Sequence, residues 1–260
     1  MVRYHRGRTG SGVPLGGIGT GKIEILPNGG LYSISFQNNW NAPFVNTAGS
    51  ARPVQGILGF HFGLWVRRGK TGCAYLLQTE KISQYPRVDA IDYDGVWPKA
   101  TLAYKKRGLG VDVRLTALGT VRAGDADASS RPGALFRFTV RNSGRSAAEV
   151  SLLGIIRNIV GSDEIGRRNR VKQSASSVSV VCSSDSPYPG DPTAGEFGLT
   201  IPKSGKTTWL GQWNMQKTNF RFDADCVDLV AFDEFKKAGT LPNCGESFPQ
   251  RGGGATWGGA

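Results

Sequence analysis

The stretch with the clearest chemical signal runs from Gly12 to Ile25 and is rich in glycine. Within it, Gly16 to Lys22 matches most of the G-x-x-x-x-G-K pattern, in which backbone amides and a lysine bind nucleotide phosphates. The position that should hold a Ser or Thr for Mg²⁺ is Ile23, and no apolar strand precedes the glycines. A phosphate loop also begins a helix, whose N-terminus helps to hold the anion. Because a strand pattern follows here instead, we interpret the stretch as the glycine-rich lead into a β-hairpin.

The predicted hairpin follows directly. Residues 22–26 alternate polar and apolar side chains, which is the period of a half-buried strand, and residues 31–36 form the returning strand. Between them lies Asn28-Gly29, a pair typical of hairpin turns in which both central residues take a positive φ. In this interpretation Lys22 is a solvated strand residue and not a phosphate ligand.

Histidine and cysteine offer little for catalysis or metal binding. A serine or cysteine nucleophile needs a histidine base, and the chain has two histidines, His5 and His61. His61 lies inside an apolar run, which favours a structural role. The cysteines show no C-x-x-C pair, so we expect buried free thiols, no metal site and no cofactor. The four cysteines are Cys73, Cys182, Cys226 and Cys244.

Paired carboxylates are the next candidates, because glycoside hydrolysis uses one carboxyl as the acid and another as nucleophile or base. The nearby groups are Asp163 with Glu164, Asp89 with Asp92 and Asp94, and Asp223 with Asp225. All lie in stretches that we predict to be loops, and no pair is marked as buried or as facing across a cleft. We therefore predict surface or turn roles for them and assign no catalytic residue.

A polar loop at residues 37–44 is the candidate for sugar binding. Asparagine side chains there can form local turns, and they can also hydrogen-bond sugar hydroxyls beside a tryptophan. Turn chemistry around a tryptophan anchor is the competing interpretation. The candidate binding residues, as a cleft rim or a sugar contact, are Asn38, Asn39 and Trp40.

The chain has 260 residues and a formal net charge of +12, which invites a nucleic-acid hypothesis. The charge is concentrated in small clusters at predicted turns, without interleaved aromatic residues, so we expect solvated turns and no nucleic-acid partner. The clusters are Arg67-Arg68-Lys70, Lys105-Lys106-Arg107 and Arg167-Arg168-Arg170-Lys172. No apolar run approaches the roughly 20 residues of a membrane span. The N-terminus lacks the apolar region of a signal peptide, so a cytoplasmic location is expected.

Short alternating segments separated by glycine-rich turns are typical of antiparallel sandwiches. We predict loops at 125–132 and 161–169 and one short helix at 230–237, with Gly239 as its C-cap. The fold class is therefore predicted to be all-β, a large antiparallel β-sandwich with at most one short helix, incomplete at the C-terminus. The predicted strands are 22–26, 31–36, 56–67, 73–77, 100–104, 111–116, 134–141, 149–156, 176–181, 197–201 and 208–213.

Several stretches follow one another in a familiar order. They are 13–21 with 23–25, 38–44, 85–86 with 97–104, 132–142 with 149–153, and a weaker one at 232–241. Together they resemble the N-terminal part of glycoside hydrolase family 116, the bile-acid β-glucosidase or non-lysosomal glucosylceramidase family. One departure lies at residues 118–121, Leu-Gly-Thr-Val, where the family usually has an aromatic-proline turn.

The resemblance implies that residues 1–260 form the N-terminal β-sandwich domain of a family-116-like glycosidase, without the catalytic (α/α)6 domain. In that family of retaining β-glucosidases, the nucleophile Glu and the acid/base Asp lie on the helical domain. The chain is then expected to lack activity by itself. Its expected partner is a helical catalytic domain, in the same polypeptide or as a separate chain, through which it meets a β-glycoside substrate.

Two other functions stay open from the sequence alone. A stand-alone carbohydrate-binding module would use Trp40 and the neighbouring asparagines as its platform. A weaker alternative is a binder of anionic polymers that uses the basic turns, whose affinity would fall steeply with salt.

Overall fold

The computed structural model describes residues 2–4, 11–36, 57, 59–161, 166–185, 190–217, 227–245 and 256–259. Its strands are β1 Val2–Tyr4, β2 Val13–Leu15, β3 Lys22–Ile25, β4 Leu31–Ser35, β5 His61–Arg68, β6 Thr71–Leu76, β7 Ala90–Val96, β8 Lys99–Lys105, β9 Val111–Gly119, β10 Ala134–Asn142, β11 Glu149–Arg157, β12 Arg167–Gln173, β13 Ser177–Ser184, β14 Glu196–Pro202, β15 Trp213–Lys217, β16 Val227–Leu229 and β17 Thr256–Gly259. Its helices are α1 Ala126–Ser129 and α2 Val230–Ala238. The strand pairs with a described register are all antiparallel, so the predicted all-β class is confirmed.

The chain divides into two compact units. Unit 1 is formed by Met1–Ile57, Tyr75–Lys81 and Tyr85–Glu149, and unit 2 by Leu58–Ala74, Ile82–Gln84 and Val150–Ala260. The assignment of residues 1–260 to one domain stays a prediction. In the part of the chain that the structure describes, no helix is long and apolar enough to cross a membrane.

The larger sheet of unit 1 has five strands in the order β1-β7-β8-β9-β10. In β9, Val111, Val113 and Leu115 are buried, whereas Asp112 and Arg114 between them are exposed. This is the alternation expected of a strand with one face on a core, and it confirms the period-two prediction for this segment. Strand β10 pairs with β9 over its whole length, and half-buried and exposed residues alternate in it from Ala134 to Phe138.

The smaller sheet of unit 1 has the order β2-β3-β4, and β3 and β4 form the predicted hairpin. Its turn differs from the two-residue type, because Leu26 N–H donates to Gly30 O (2.9 Å) and Gly29 N–H to Leu26 O (2.9 Å). A positive φ occurs at Gly29 (89°) and not at Asn28, whose Oδ1 accepts from Gly30 N–H instead. A Cβ on Gly29 would lie 2.4 Å from the carbonyl oxygen of Leu77, so this close contact also requires glycine.

Unit 2 is built on a six-stranded sheet, β16-β15-β17-β11-β5-β6, and a three-stranded sheet, β12-β13-β14. The rings of Phe60 and Phe197 stack with centroids 6.2 Å apart. A Cβ on Gly154 of β11 would come within 2.7 Å of Leu199 of β14. These contacts show that the three-stranded sheet packs closely on β11 and on the residue that precedes β5.

Helix α2 confirms the predicted helix. Its buried side chains are Ala231, Phe232 and Phe235, and its C-cap Gly239 takes the left-handed conformation (φ 69°) and donates to Phe235 O. A Cβ on Gly63 would lie 3.3 Å from the Phe232 ring, which places α2 against β5. The apolar face of the helix is therefore fixed to the six-stranded sheet of unit 2.

Two predicted loops contain regular structure. Asp125 accepts from Ala128 N–H (2.9 Å) and so caps α1, a second helix that the sequence analysis missed. The predicted loop at 161–169 is wrong at its end, because β12 begins at Arg167. Arg167 and Asn169 are buried in this strand, so its inward face does not show the apolar pattern that identifies strands.

Two further predictions need correction. Asp92 and Asp94 lie in β7 and not in a loop. The predicted strand at 208–213 is wrong, because β15 begins only at Trp213. Before it, Trp209 N–H donates to Asn243 Oδ1 and Asn243 N–H to Trp209 O, both at 2.9 Å, so one backbone bond and one side-chain bond take the place of a regular ladder.

Truncation of Phe232 to Ala should lower the free energy of unfolding by about 3–5 kcal/mol, because a fully buried ring leaves a cavity. Lys237→Ala on the exposed face of the same helix is the matched control, with an expected change within about 0.5 kcal/mol. Urea unfolding followed by circular dichroism measures both. Equal effects of the two substitutions would contradict the packing of α2 described above.

Candidate functional site

The residues predicted to contact sugar cannot be placed. Asn38, Asn39 and Trp40 lie within 37–56, outside the described residues. Their role as a cleft rim or a sugar platform therefore stays a prediction. The described part of the chain contains the glycine-rich stretch, most of the candidate carboxylates and three of the cysteines.

The glycine loop connects β2 to β3, which pair antiparallel from Val13 opposite Ile25 to Leu15 opposite Ile23. Two of its glycines, Gly16 and Gly21, make contacts that no other residue allows. A Cβ would lie 2.2 Å from Gly21 O if placed on Gly16, and 1.9 Å from Ser35 O if placed on Gly21. The loop is thus shaped by close approach between backbone segments.

The Ile18 amide and the lysine of this loop already have partners within the protein. Ile18 N–H donates to Ser129 O (2.7 Å), and Gly16 O accepts from Thr120 N–H (3.2 Å). Lys22 Nζ forms an ion pair with Glu24, and the residues after Lys22 continue as β3 and not as a helix. The hairpin interpretation is therefore confirmed, and the loop lacks the helix N-terminus that a phosphate loop uses.

Asp89 is held as a carboxylate by cationic and amide donors. Lys106 Nζ donates to its Oδ1 (2.7 Å) and Arg107 N–H to its Oδ2 (2.9 Å). These bonds hold the pKa of Asp89 below its ordinary value of 3.8, and the bond from Lys106 has the largest effect. A general acid for glycoside cleavage needs a raised pKa, so Asp89 does not fit that role.

An open depression of about 390 Å³ lies beside Asp89, at the turn between β8 and β9. It is lined by three cationic side chains, of which Lys106 pairs with Asp89 and Lys105 with Asp92 at 3.5 Å. Arg107 contributes its backbone amide to Asp89. Because its charges are largely compensated from within the protein, the depression is not a marked anion site.

The other described candidates also have structural partners or open surroundings. Asp92 and Asp94 project from the same face of β7, since they are two residues apart. Asp92 is buried and paired with Lys105, whereas Asp94 is exposed. Ion pairs of the same kind join Asp185 to Arg168, Glu196 to Arg170, Asp233 to Lys236 and Glu234 to Lys237. Asp163, Glu164, Asp223 and Asp225 lie outside the described residues.

His61 and the cysteines differ from one another in exposure. His61 is buried, and its Nε2 accepts from Gly59 N–H (3.0 Å), which agrees with a structural role. Cys182 is buried, and burial raises the pKa of its thiol while nearby Arg167 opposes the shift. Cys73 and Cys244 are exposed, so the prediction of buried thiols is wrong for these two. The described residues include no group of three or more His, Cys, Asp or Glu side chains that could hold a metal ion.

The third basic cluster is not a solvated turn. Arg167 is buried and donates to the carbonyl oxygens of Val160 (3.0 Å) and Gly161 (3.3 Å). Beside it, the buried Asn158 side chain donates to Ser183 O and to Asn169 Oδ1. Since buried polar groups are costly without partners, these bonds stabilise a polar interior at the start of β12. Arg167, and Arg168 and Arg170 through ion pairs with Asp185 and Glu196, therefore serve the fold of unit 2, whereas Lys172 is exposed.

Trp97, in the turn between β7 and β8, is the side chain that sequence reasoning did not single out as functional. It is 56% exposed, whereas the other tryptophans with a described burial, Trp65, Trp209 and Trp213, are less exposed. The available signal was Pro98, which follows Trp97 and precedes the predicted strand at 100–104, because proline favours turns. Exposed aromatic residues of this kind are common in binding surfaces.

Substitution of Gly21 by Ala should lower the free energy of unfolding by at least about 2 kcal/mol, because the new methyl group meets a backbone oxygen at a positive φ. Gly19→Ala is the control, since Gly19 also has a positive φ (74°) but has nothing within 4 Å, and it should cost about 1 kcal/mol. Thermal unfolding of both variants tests this. Gly21→Ala costing no more than the control would show that the close approach is unimportant.

Asp89→Asn should lower the free energy of unfolding at pH 7 by at most about 1 kcal/mol, since the carboxylate is largely exposed. A carboxyl whose pKa is lowered in the folded state stabilises the fold above its unfolded pKa, so the penalty should persist down to about pH 3.8 and shrink as the pH falls below that value, through the folded pKa. Urea unfolding at several pH values measures it, with Asp94→Asn as the control. A penalty that grows at low pH would contradict a lowered pKa of Asp89 in the folded state.

Comparison with known proteins gives the family. The chain matches, over residues 12–260, the family described as "beta-glucosidase 2, glycosyl-hydrolase family 116 N-term". No curated protein matches the chain. The matched range begins at the glycine-rich stretch and extends through both units. The match confirms the resemblance found in the sequence, and the chain therefore belongs to the N-terminal part of glycosyl hydrolase family 116.

Proposed function

We propose that the chain is a non-catalytic N-terminal domain of a β-glucosidase-like glycoside hydrolase. Its role is to pack against a helical catalytic domain and to shape the rim of that domain's cleft. The observation that carries this proposal is the family match over residues 12–260, which is to the N-terminal part of the family and not to its catalytic part. The β-glycoside substrate is then bound chiefly by the partner domain.

The chemistry of the described carboxylates supports a non-catalytic role. A glycosidase pairs a carboxyl of raised pKa with an ionised one about 5–10 Å away, across a cleft. Here Asp89 has a lowered pKa, and Asp185 and Glu196 form ion pairs with Arg168 and Arg170. These carboxylates stabilise strands and turns, which is what a supporting domain requires of them.

The rigidity of the glycine loop supports the second part of the role. Loops that shape a cleft must hold their position without the substrate. The loop from Gly16 to Gly21 is fixed by close backbone contacts and by hydrogen bonds to Ser129 and Thr120. Such a loop can present side chains at a constant position to a neighbouring domain.

Assayed alone with an aryl β-glucoside, the purified chain should give no turnover above the background of the buffer. Any trace activity from a contaminating glucosidase should be the same in Asp92→Asn, Asp94→Asn and Asp89→Asn variants, because these carboxylates have no part in catalysis. Measured turnover that disappears in one of these variants would contradict the proposal. Absorbance of the released aryl group is the readout.

A further inference from the structure

We draw no further inference here: the strongest candidate, the exposed apolar corner that Ile18, Trp97 and Leu135 form at one end of the five-stranded sheet of unit 1, carries no proposal, because nothing in the described part of the structure shows what covers it.

Discussion

In the first hairpin of unit 1, backbone segments approach more closely than any side chain permits. A Cβ on Gly12 would lie 2.3 Å from Ile25 O, and on Gly17 it would lie 2.5 Å from Arg131 O. These contacts join β2, β3 and the segment that follows α1. Because neither position leaves room for a Cβ, this packing requires glycine at both. The family's opening sequence is thus a packing requirement and not a ligand site.

The period-two pattern was sufficient for much of the fold, because the two faces of a strand such as β9 differ sharply in exposure. It failed where the inward face is polar. At the start of β12, Arg167 and Asn169 are buried through hydrogen bonds to carbonyl oxygens and side chains that come from other segments. Such partners become known only once the fold brings them together, so no reading of local residues could identify that strand.

The sequence predicted less of the candidate site than of the fold. Carboxylates could be found by type, but their roles depend on partners such as Lys106, which lies 17 residues from Asp89. Trp97 shows the opposite difficulty. No functional role was predicted for it from the sequence, because its position beside Ile18 and Leu135 depends on the pairing of β9 with β10 and on the bond from Thr120 to Gly16. Which residues share a surface depends on strand register and on hydrogen bonds between distant segments. Neither can be derived from composition.

The distribution of charge and apolar surface in unit 1 also bears on what the domain does. Its described acidic side chains at Asp89 and Asp92 stabilise the fold through lysines of β8 and the turn that follows. Lys99 and Arg137, which have no carboxylate within ion-pair distance among the described residues, lie two residues from the exposed Trp97 and Leu135. Burying a large apolar side chain is worth roughly 1.5–3 kcal/mol, and the isolated domain does not gain this from its exposed tryptophan and leucine. This arrangement supports the proposed role of the domain in association with another domain.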